Sequence, residues 1–446
     1  AALRGRRPRA ARWERSMEIK APRGMQDILP GDVGRWQWAE AQMRELARRH
    51  GYREIRTPIV EHTEVFQRGV GAGTDIVDKE MYTFEDRGGR SLTLRAEGTA
   101  PVMRAVLEHN LAAQTPPVRV YYICPIFRYD RPQAGRYRQH TQFGAEVIGS
   151  PEPAADAEVL SLAVRLTEAV GLRDLDVHLS SVGDAKCRPH YEEVLRAYYG
   201  PRLPELCEDC RRRFDTAPMR LLDCKREHDR DVAAGAPRIL DYLCDECRAH
   251  FAGVRAHLEA MGILYTVDPM IVRGLNYYTR TAFEAVSGAL GAQNVMFGGG
   301  RYDGLAEQMG GAATPGVGFG MGIERLLIVI EAAGAGPPAG RGVDLFIATA
   351  GTGSPQALAI ADRLRHRGVS VMADVMGRGL RSQMRLADRA GAAWVLLLGE
   401  DEVRRGVAIL REMGSGAQSE VPLDRVADEV PARIHAAAGG AAEVAR

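Results

Sequence analysis

The stretch Gly316-Val317-Gly318-Phe319-Gly320-Met321-Gly322-Ile323-Glu324-Arg325-Leu326-Leu327 alternates four glycines with apolar residues and then continues at helical spacing. Alternation in a strand sends successive side chains to opposite faces, so this strand has one bare face against which a flat group can lie. Arg325 then falls in the first turn of a helix running from Gly322 to Glu331. A tightly packed strand–helix corner would explain the glycines but not the arginine.

Upstream, Gly298 to Gly304 reads as a Gly-rich turn, and the core pattern before it resumes at Ile271. Further back, Ile126 to Ile148 reads as strand, loop and strand, with Arg131 to Arg138 as its polar tip. Ser91–Leu94 and Val118–Ile123 read as short strands, and Tyr52 to Glu61 as a strand broken by Pro58. Helices are expected from Asp32 to His50, with Asp32 as N-cap, and from Ala154 to Val170. Strands joined by loops and interrupted by helices predict an α+β domain over 17–331 with a mainly antiparallel sheet flanked by helices. A charged, Cys-dotted module is inserted at about 187–255. Downstream, AAGAGPPAGRG (332–342) is a linker by composition. Beyond it, 343–446 alternates strand and helix as a small α/β domain with a largely parallel sheet.

The chain has 446 residues and a formal net charge of +1, so bulk charge gives no sign of a nucleic-acid partner and any RNA contact must come from a local basic face. No apolar run reaches the roughly 18 residues a membrane span needs. Seven cysteines, an odd number, suit a reducing compartment and a cytoplasmic protein. Residues 1–16 carry six arginines and one acid; they read as a disordered or misassigned extension rather than a transit peptide.

Three segments carry chemistry. FRYDRPQAGRYR, residues 127–138, places Arg128, Arg131, Arg136 and Arg138 in one hairpin-like tip. Guanidinium forks match phosphate oxygens bidentately and stay charged when partly buried. An isolated Arg-rich loop is usually a solvated turn, but this one sits between apolar strands. Gln142 and Glu146 follow on one face of the second strand, as expected of a polar pocket. TLRAEGT, residues 93–99, ends a strand with Glu97 and Thr99, which suit an ammonium group. RGLNYYT, residues 273–279, offers Arg273 beside Tyr277 and Tyr278.

At this point the chain resembles a known family. Arg128 with its strand, the glycine strand ending in Arg325, and the Pro58 segment match the three motifs of class II aminoacyl-tRNA synthetases. RGLNYYTRTAFE and GGGRYDGL resemble the two motifs peculiar to histidyl-tRNA synthetases, and the tail resembles their anticodon-binding domain. Several motifs in the right order make chance agreement improbable. The resemblance implies ATP-dependent activation of L-histidine to an adenylate, with Mg2+ accompanying ATP, and transfer to tRNA(His) by a homodimer. It implies that Arg128 holds the α-phosphate, that Arg136 and Arg325 hold the β- and γ-phosphates, and that Asp130 and Gly318 complete the ATP site. Arg273 would bridge the substrate carboxylate and the α-phosphate. Glu97, Thr99 and Gln142 would take the α-amino group, and Glu146 and Tyr278 the imidazole, with Tyr277 and Tyr302 close by. Three positions depart from the family pattern: Ala96 replaces a proline, Asp130 a glutamate and Asn276 an aspartate.

Two further features stay open. Cys207-x-x-Cys210, Cys224 and Cys244-x-x-Cys247 have the spacing of a tetrahedral zinc knuckle, or are incidental thiols on amphipathic helices. Arg378, Arg381, Arg385 and Arg389 form one basic helix row with Leu380, Met384 and Ala387 as its apolar face. The rival function is a histidine-binding regulatory paralogue controlling histidine biosynthesis. Such chains generally lack the tail domain and part of the arginine set.

Overall fold

In the computed structural model, residues 19–71, 74–173, 175–272, 274–290, 295–337, 342–350 and 355–444 are described. Arg273 and the 1–16 extension lie outside the described residues. The chain divides into two compact units, with the boundary between Pro337 and Pro338.

The strands are β1 (Arg53–Glu54), β2 (Val60–His62), β3 (Thr83–Glu85), β4 (Ser91–Leu94), β5 (Val118–Phe127), β6 (Gln139–Ile148), β7 (Asp176–Ser181), β8 (Thr266–Val267), β9 (Thr279–Val286), β10 (Val295–Arg301) and β11 (Gly316–Gly322) in the first unit. Eight of them form one sheet in the order β1-β5-β6-β11-β10-β9-β7-β8, and β2, β4 and β3 form a second. The six central strands of the large sheet pair antiparallel; only the edge pairs β1–β5 and β7–β8 are parallel. Its core face packs Phe143, Phe283, Phe297, Val317 and Phe319 against the helices Pro30–Arg49, Pro153–Ala169 and Ile323–Ala332. The first of these helices starts at Pro30, not at an Asp32 cap; proline preorganises the first turn, and Asp32 lies inside that turn.

The GGG run is not a turn, as its composition suggests, but the last part of β10. The reason is crowding: a β-carbon on Gly299 would overlap the Gly318 carbonyl and the Phe319 backbone of the neighbouring strand. Arg301, which ends this strand, is fully buried. It pairs with Asp156 and with Asp303 (2.9 Å) and donates to the carbonyls of Ser150 (2.9 Å) and Glu152 (3.1 Å). It is a structural arginine and does not line the pocket over β6, β11 and β10.

The second unit holds β12 (Leu345–Thr349), β13 (Val371–Ala373), β14 (Trp394–Leu398), β15 (Val407–Glu412) and β16 (Gln418–Pro422). The order is β13-β12-β14-β15-β16, with β12 parallel to both neighbours and the last two pairings antiparallel. The sheet is therefore mixed, not largely parallel. After β14 the short helix Glu400–Arg404 turns the chain back into β15, and β15 and β16 then form a hairpin with a Gly-containing turn, so both pairings run antiparallel. The expected basic row also contracts. The helix is Leu380–Arg389, and Arg378 precedes it, with its guanidinium 2.8 Å from the Asp374 carboxylate. Arg381, Arg385 and Arg389 remain on one exposed side. Ala387 is buried, whereas Leu380 is 40% exposed and lies near exposed Val375 and Met376 in the sequence. The apolar face is correspondingly shorter than its spacing suggests.

Candidate functional site

The pocket lies over β6, β11 and β10 and encloses about 320 Å³. Glu97, Thr99, Arg128, Asp130, Arg136, Gln142, Tyr277, Tyr278, Tyr302, Gly318 and Arg325 all line it. Residues from five separate stretches of sequence meet: β5, β6, β11, β10 and β9 are neighbours in one sheet, and Glu97 and Thr99 come in from the segment after β4.

Glu146 lies directly behind the pocket lining, bonded to Thr99 and Tyr302, which do line it. It is fully buried, on the strand that pairs Glu146 with Gly318. Its carboxylate accepts hydrogen bonds from Tyr302 Oη (2.6 Å), Thr99 Oγ1 (2.9 Å) and Tyr122 Oη (3.4 Å). Burial, with the Glu97 charge nearby, pushes its carboxyl from 4.5 up to about 8 despite those donors. Glu97 is likewise raised by burial, although its oxygens accept the backbone N–H groups of Thr99 (2.8 Å) and Ala100 (2.6 Å).

The bare face of β11 is used differently from what the glycines alone suggest. A β-carbon at Gly316 would overlap the Tyr302 ring, at Gly318 the Glu146 carboxylate, and at Gly320 the Gln142 amide. The side chains of Tyr302, Glu146 and Gln142 occupy the space those glycines leave, so much of the flat surface is covered by protein.

Tyr122, buried behind the pocket against Gln142 and Glu146, was not singled out from the sequence. Its hydroxyl accepts from Gln142 Nε2 (2.9 Å) and donates to Glu146. The signal was Gly144, directly opposite on β6: a β-carbon there or at Gly98 would overlap the Tyr122 ring. His140 and Glu324 also line the pocket and were not singled out. Burial, with Arg128 and Arg325 beside it, lowers His140 to about 3, so its imidazole is neutral. Glu324 accepts the Thr141 backbone N–H (2.7 Å) through Oε1, whereas its buried Oε2 has no hydrogen-bond partner among the described residues. Burial raises its carboxyl to about 7.

The other end of the pocket is cationic. Arg128 Nε donates to the Ala96 carbonyl (2.8 Å). Arg325 is held by the Gly135 (2.8 Å) and Val295 (2.6 Å) carbonyls. Arg136 pairs with Asp130 and lies 3.7 Å from Glu80. The Asp130 carboxylate thus holds Arg136 and also accepts the Arg131 N–H (2.7 Å). Arg138 stacks over the Tyr129 ring, 3.7 Å from its centroid, and Arg131 is exposed. Of the four tip arginines, Arg128 and Arg136 therefore line the cavity. The Asn276 side chain packs against Gly71 and does not line the cavity. Ala96 is buried.

A polar floor with a deep carboxylate, beside a mouth of three fixed arginines, suits a small substrate with an N–H to donate and a polyanion next to it. Residues 24–326 match the family model for histidyl-tRNA synthetase. The chain belongs to the histidyl-tRNA synthetase family. Residues 344–433 of this synthetase match an anticodon-binding domain model. It is 50% identical over 413 residues to the histidine–tRNA ligase of Desulforamulus reducens, covering 92% of this chain and 99% of that one. The Desulforudis audaxviator ligase is 51% identical over 414 residues, covering 93% and 99%. Among solved structures, the synthetase resembles apo Staphylococcus aureus histidyl-tRNA synthetase with a TM-score of 0.78 and 38% identity, over 93% of this chain and 100% of that one. The likeness to these ligases includes the second unit, which the regulatory paralogue generally lacks.

Proposed function

We propose that this aminoacyl-tRNA synthetase activates L-histidine with ATP, releasing pyrophosphate, and then transfers histidine from the adenylate to the 3' end of tRNA(His). The observation that carries the substrate assignment is Glu146. It is a fully buried carboxylate held by three hydroxyls. A neutral imidazole has one donor and one acceptor nitrogen. Glu146 accepts from the donor, and a tyrosine hydroxyl, assigned to Tyr278, serves the acceptor. Buried polar groups left unpaired by an analogue cost enough to reject it by about 10⁴-fold or more.

Activation brings a carboxylate onto the α-phosphate in line with the departing pyrophosphate. Both reactants are anionic, so catalysis consists of positioning and fixed positive charge. Arg128 takes the α-phosphate, and Arg136 and Arg325 the outer phosphates. Carbonyl and carboxylate partners fix all three guanidinium groups in advance, so little is lost to reorganisation. Arg273 is assigned the bridge between the histidine carboxylate and the α-phosphate. Glu97, Thr99 and Gln142 orient the amino group, with Tyr277 and Tyr302 walling the site. Asp130 acts here by holding Arg136.

The unpartnered Glu324 Oε2, in a cavity rimmed by arginines, fits a Mg2+ brought in with the ATP phosphates. Bound there, the ion would screen phosphate charge. Arg381, Arg385 and Arg389 are proposed to contact tRNA phosphates. A cytoplasmic homodimer completes the reading; among the described residues no helix is long and apolar enough to cross a membrane.

ATP–pyrophosphate exchange against single amino acids, without tRNA, tests the assignment. Exchange should depend on histidine alone. Folded protein that binds histidine but exchanges nothing would return the regulatory paralogue.

A further inference from the structure

Two thiol clusters lie outside the pocket, and the aminoacylation chemistry uses neither. Asp184, Cys187, Cys244 and Cys247 form one; Cys207, Cys210, Cys224 and Asp229 form the other. The two CxxC pairs therefore do not share one knuckle, as their spacing suggests. Each pair meets a different cysteine and a different aspartate. Cys187, absent from the spacing argument, completes the first cluster. We propose that each cluster binds one Zn2+ as a Cys3Asp site, giving two structural zinc ions per chain.

The geometry supports this in three ways. In each cluster the four ligand atoms all lie within 4.8 Å of one another. Cys207 and Cys224 sulfurs are 3.8 Å apart, and those of Cys187 and Cys247 are 3.9 Å apart. A tetrahedron with Zn–S bonds of about 2.3 Å has an edge of about 3.8 Å, whereas a disulfide needs about 2.05 Å. All seven cysteines are free thiols.

Next, Asp229 is 3% exposed and makes no ion pair with Lys, Arg or His among the described residues. Its oxygens accept the Cys207 N–H (3.1 and 3.3 Å) and the Cys224 thiol (3.2 Å), and the Cys207 and Cys210 thiols stand beside them. A buried carboxylate among thiols lacks the charge partner such groups require, and a divalent ion supplies it. In the other cluster Asp184 Oδ1 lies 3.6 Å from Cys187 Sγ and 3.9 Å from Cys244 Sγ, with Arg280 3.6 Å from its second oxygen.

Finally, backbone N–H groups support the sulfurs, from Asp184 to Cys187 (3.4 Å) and from Arg226 to Cys224. Such outer contacts orient metal-bound thiolates.

The placement gives each ion a task. Asp184 and Cys187 stand where the chain leaves β7, and Cys244 and Cys247 open the return helix Asp245–Ala260. One ion thus staples the two ends of the inserted module, while the other ties its interior loops together. The module has a small core of its own, where such staples matter most. Binding releases the three thiol protons of each site and involves no redox change.

The test uses full-length protein purified under reducing conditions and desalted. Elemental analysis should give two zinc ions per chain. An organomercurial should release both into a chromogenic chelator, and cobalt exchange should give the thiolate charge-transfer and tetrahedral bands. The C207S/C210S and C244S/C247S variants should each keep one ion. Should they fail to fold, release from the unaltered protein still decides. Folded, reduced protein that takes up no zinc, or one ion per chain, overturns the proposal, as do two ions retained in both variants.

Discussion

Replacing Glu146 with Gln should make folding stability depend on pH in a way the unaltered protein's does not. The Glu146 carboxyl is fully buried and rises from 4.5 to about 8 in the folded chain. A carboxyl raised on folding opposes its own ionisation, so its penalty is absent below pH 4.5 and grows as pH rises towards 8. Each pH unit across that window costs about 1.4 kcal/mol, or about 4 kcal/mol between pH 5 and pH 8.5. Glu146→Gln removes this term and leaves a constant cost of about 1–3 kcal/mol for the disturbed hydroxyl contacts. Urea unfolding of the first unit without substrates, at both pH values, measures the difference. The variant should gain about 4 kcal/mol relative to the unaltered protein on going from pH 5 to pH 8.5. Subtracting one protein from the other cancels titrating groups that do not interact with Glu146; Glu97, whose charge acts on Glu146, stays part of the difference. Histidine-dependent exchange should meanwhile fall at least 100-fold. A stability difference independent of pH would refute the burial argument, and retained histidine dependence would refute the role given to Glu146.

Gly318→Ala puts a β-carbon into the Glu146 carboxylate and should cost about 1–3 kcal/mol in unfolding experiments together with histidine use. Gly322→Ala, whose nearest neighbour would be 3.8 Å away, should be tolerated in the same assays. Arg325→Ala should raise the KM for ATP about 10- to 100-fold in pyrophosphate exchange while changing the KM for histidine little. Glu324→Gln should raise the Mg2+ concentration needed for half-maximal exchange without removing histidine specificity. Neutralising Arg381, Arg385 and Arg389 together should leave exchange intact and flatten the salt dependence of tRNA binding, with a slope lower by about two to three.

The sequence by itself determined the two-unit plan, the mainly antiparallel sheet and most of the pocket's residue types. These signals are local: strand alternation, glycine and proline punctuation, and arginines at turn positions. Tertiary structure decided what those residues meet. Spacing alone put both CxxC pairs in one knuckle, and only the module's folding sends them to separate aspartates and brings in Cys187. Tyr122 was unreadable because its role depends on β5 lying beside β6 in one register, with Gly144 opposite it. The glycines of β11 looked like open space for a ligand, and neighbouring strands fill that space with Tyr302, Glu146 and Gln142. Arg301 shows the same limit: its stretch read as a Gly-rich turn, yet it ends a strand and Asp156 from a distant helix makes it a buried structural pair. Alternation fixes which face a side chain takes, whereas its partner is set by cross-strand register and helix docking, which a single strand's sequence does not encode.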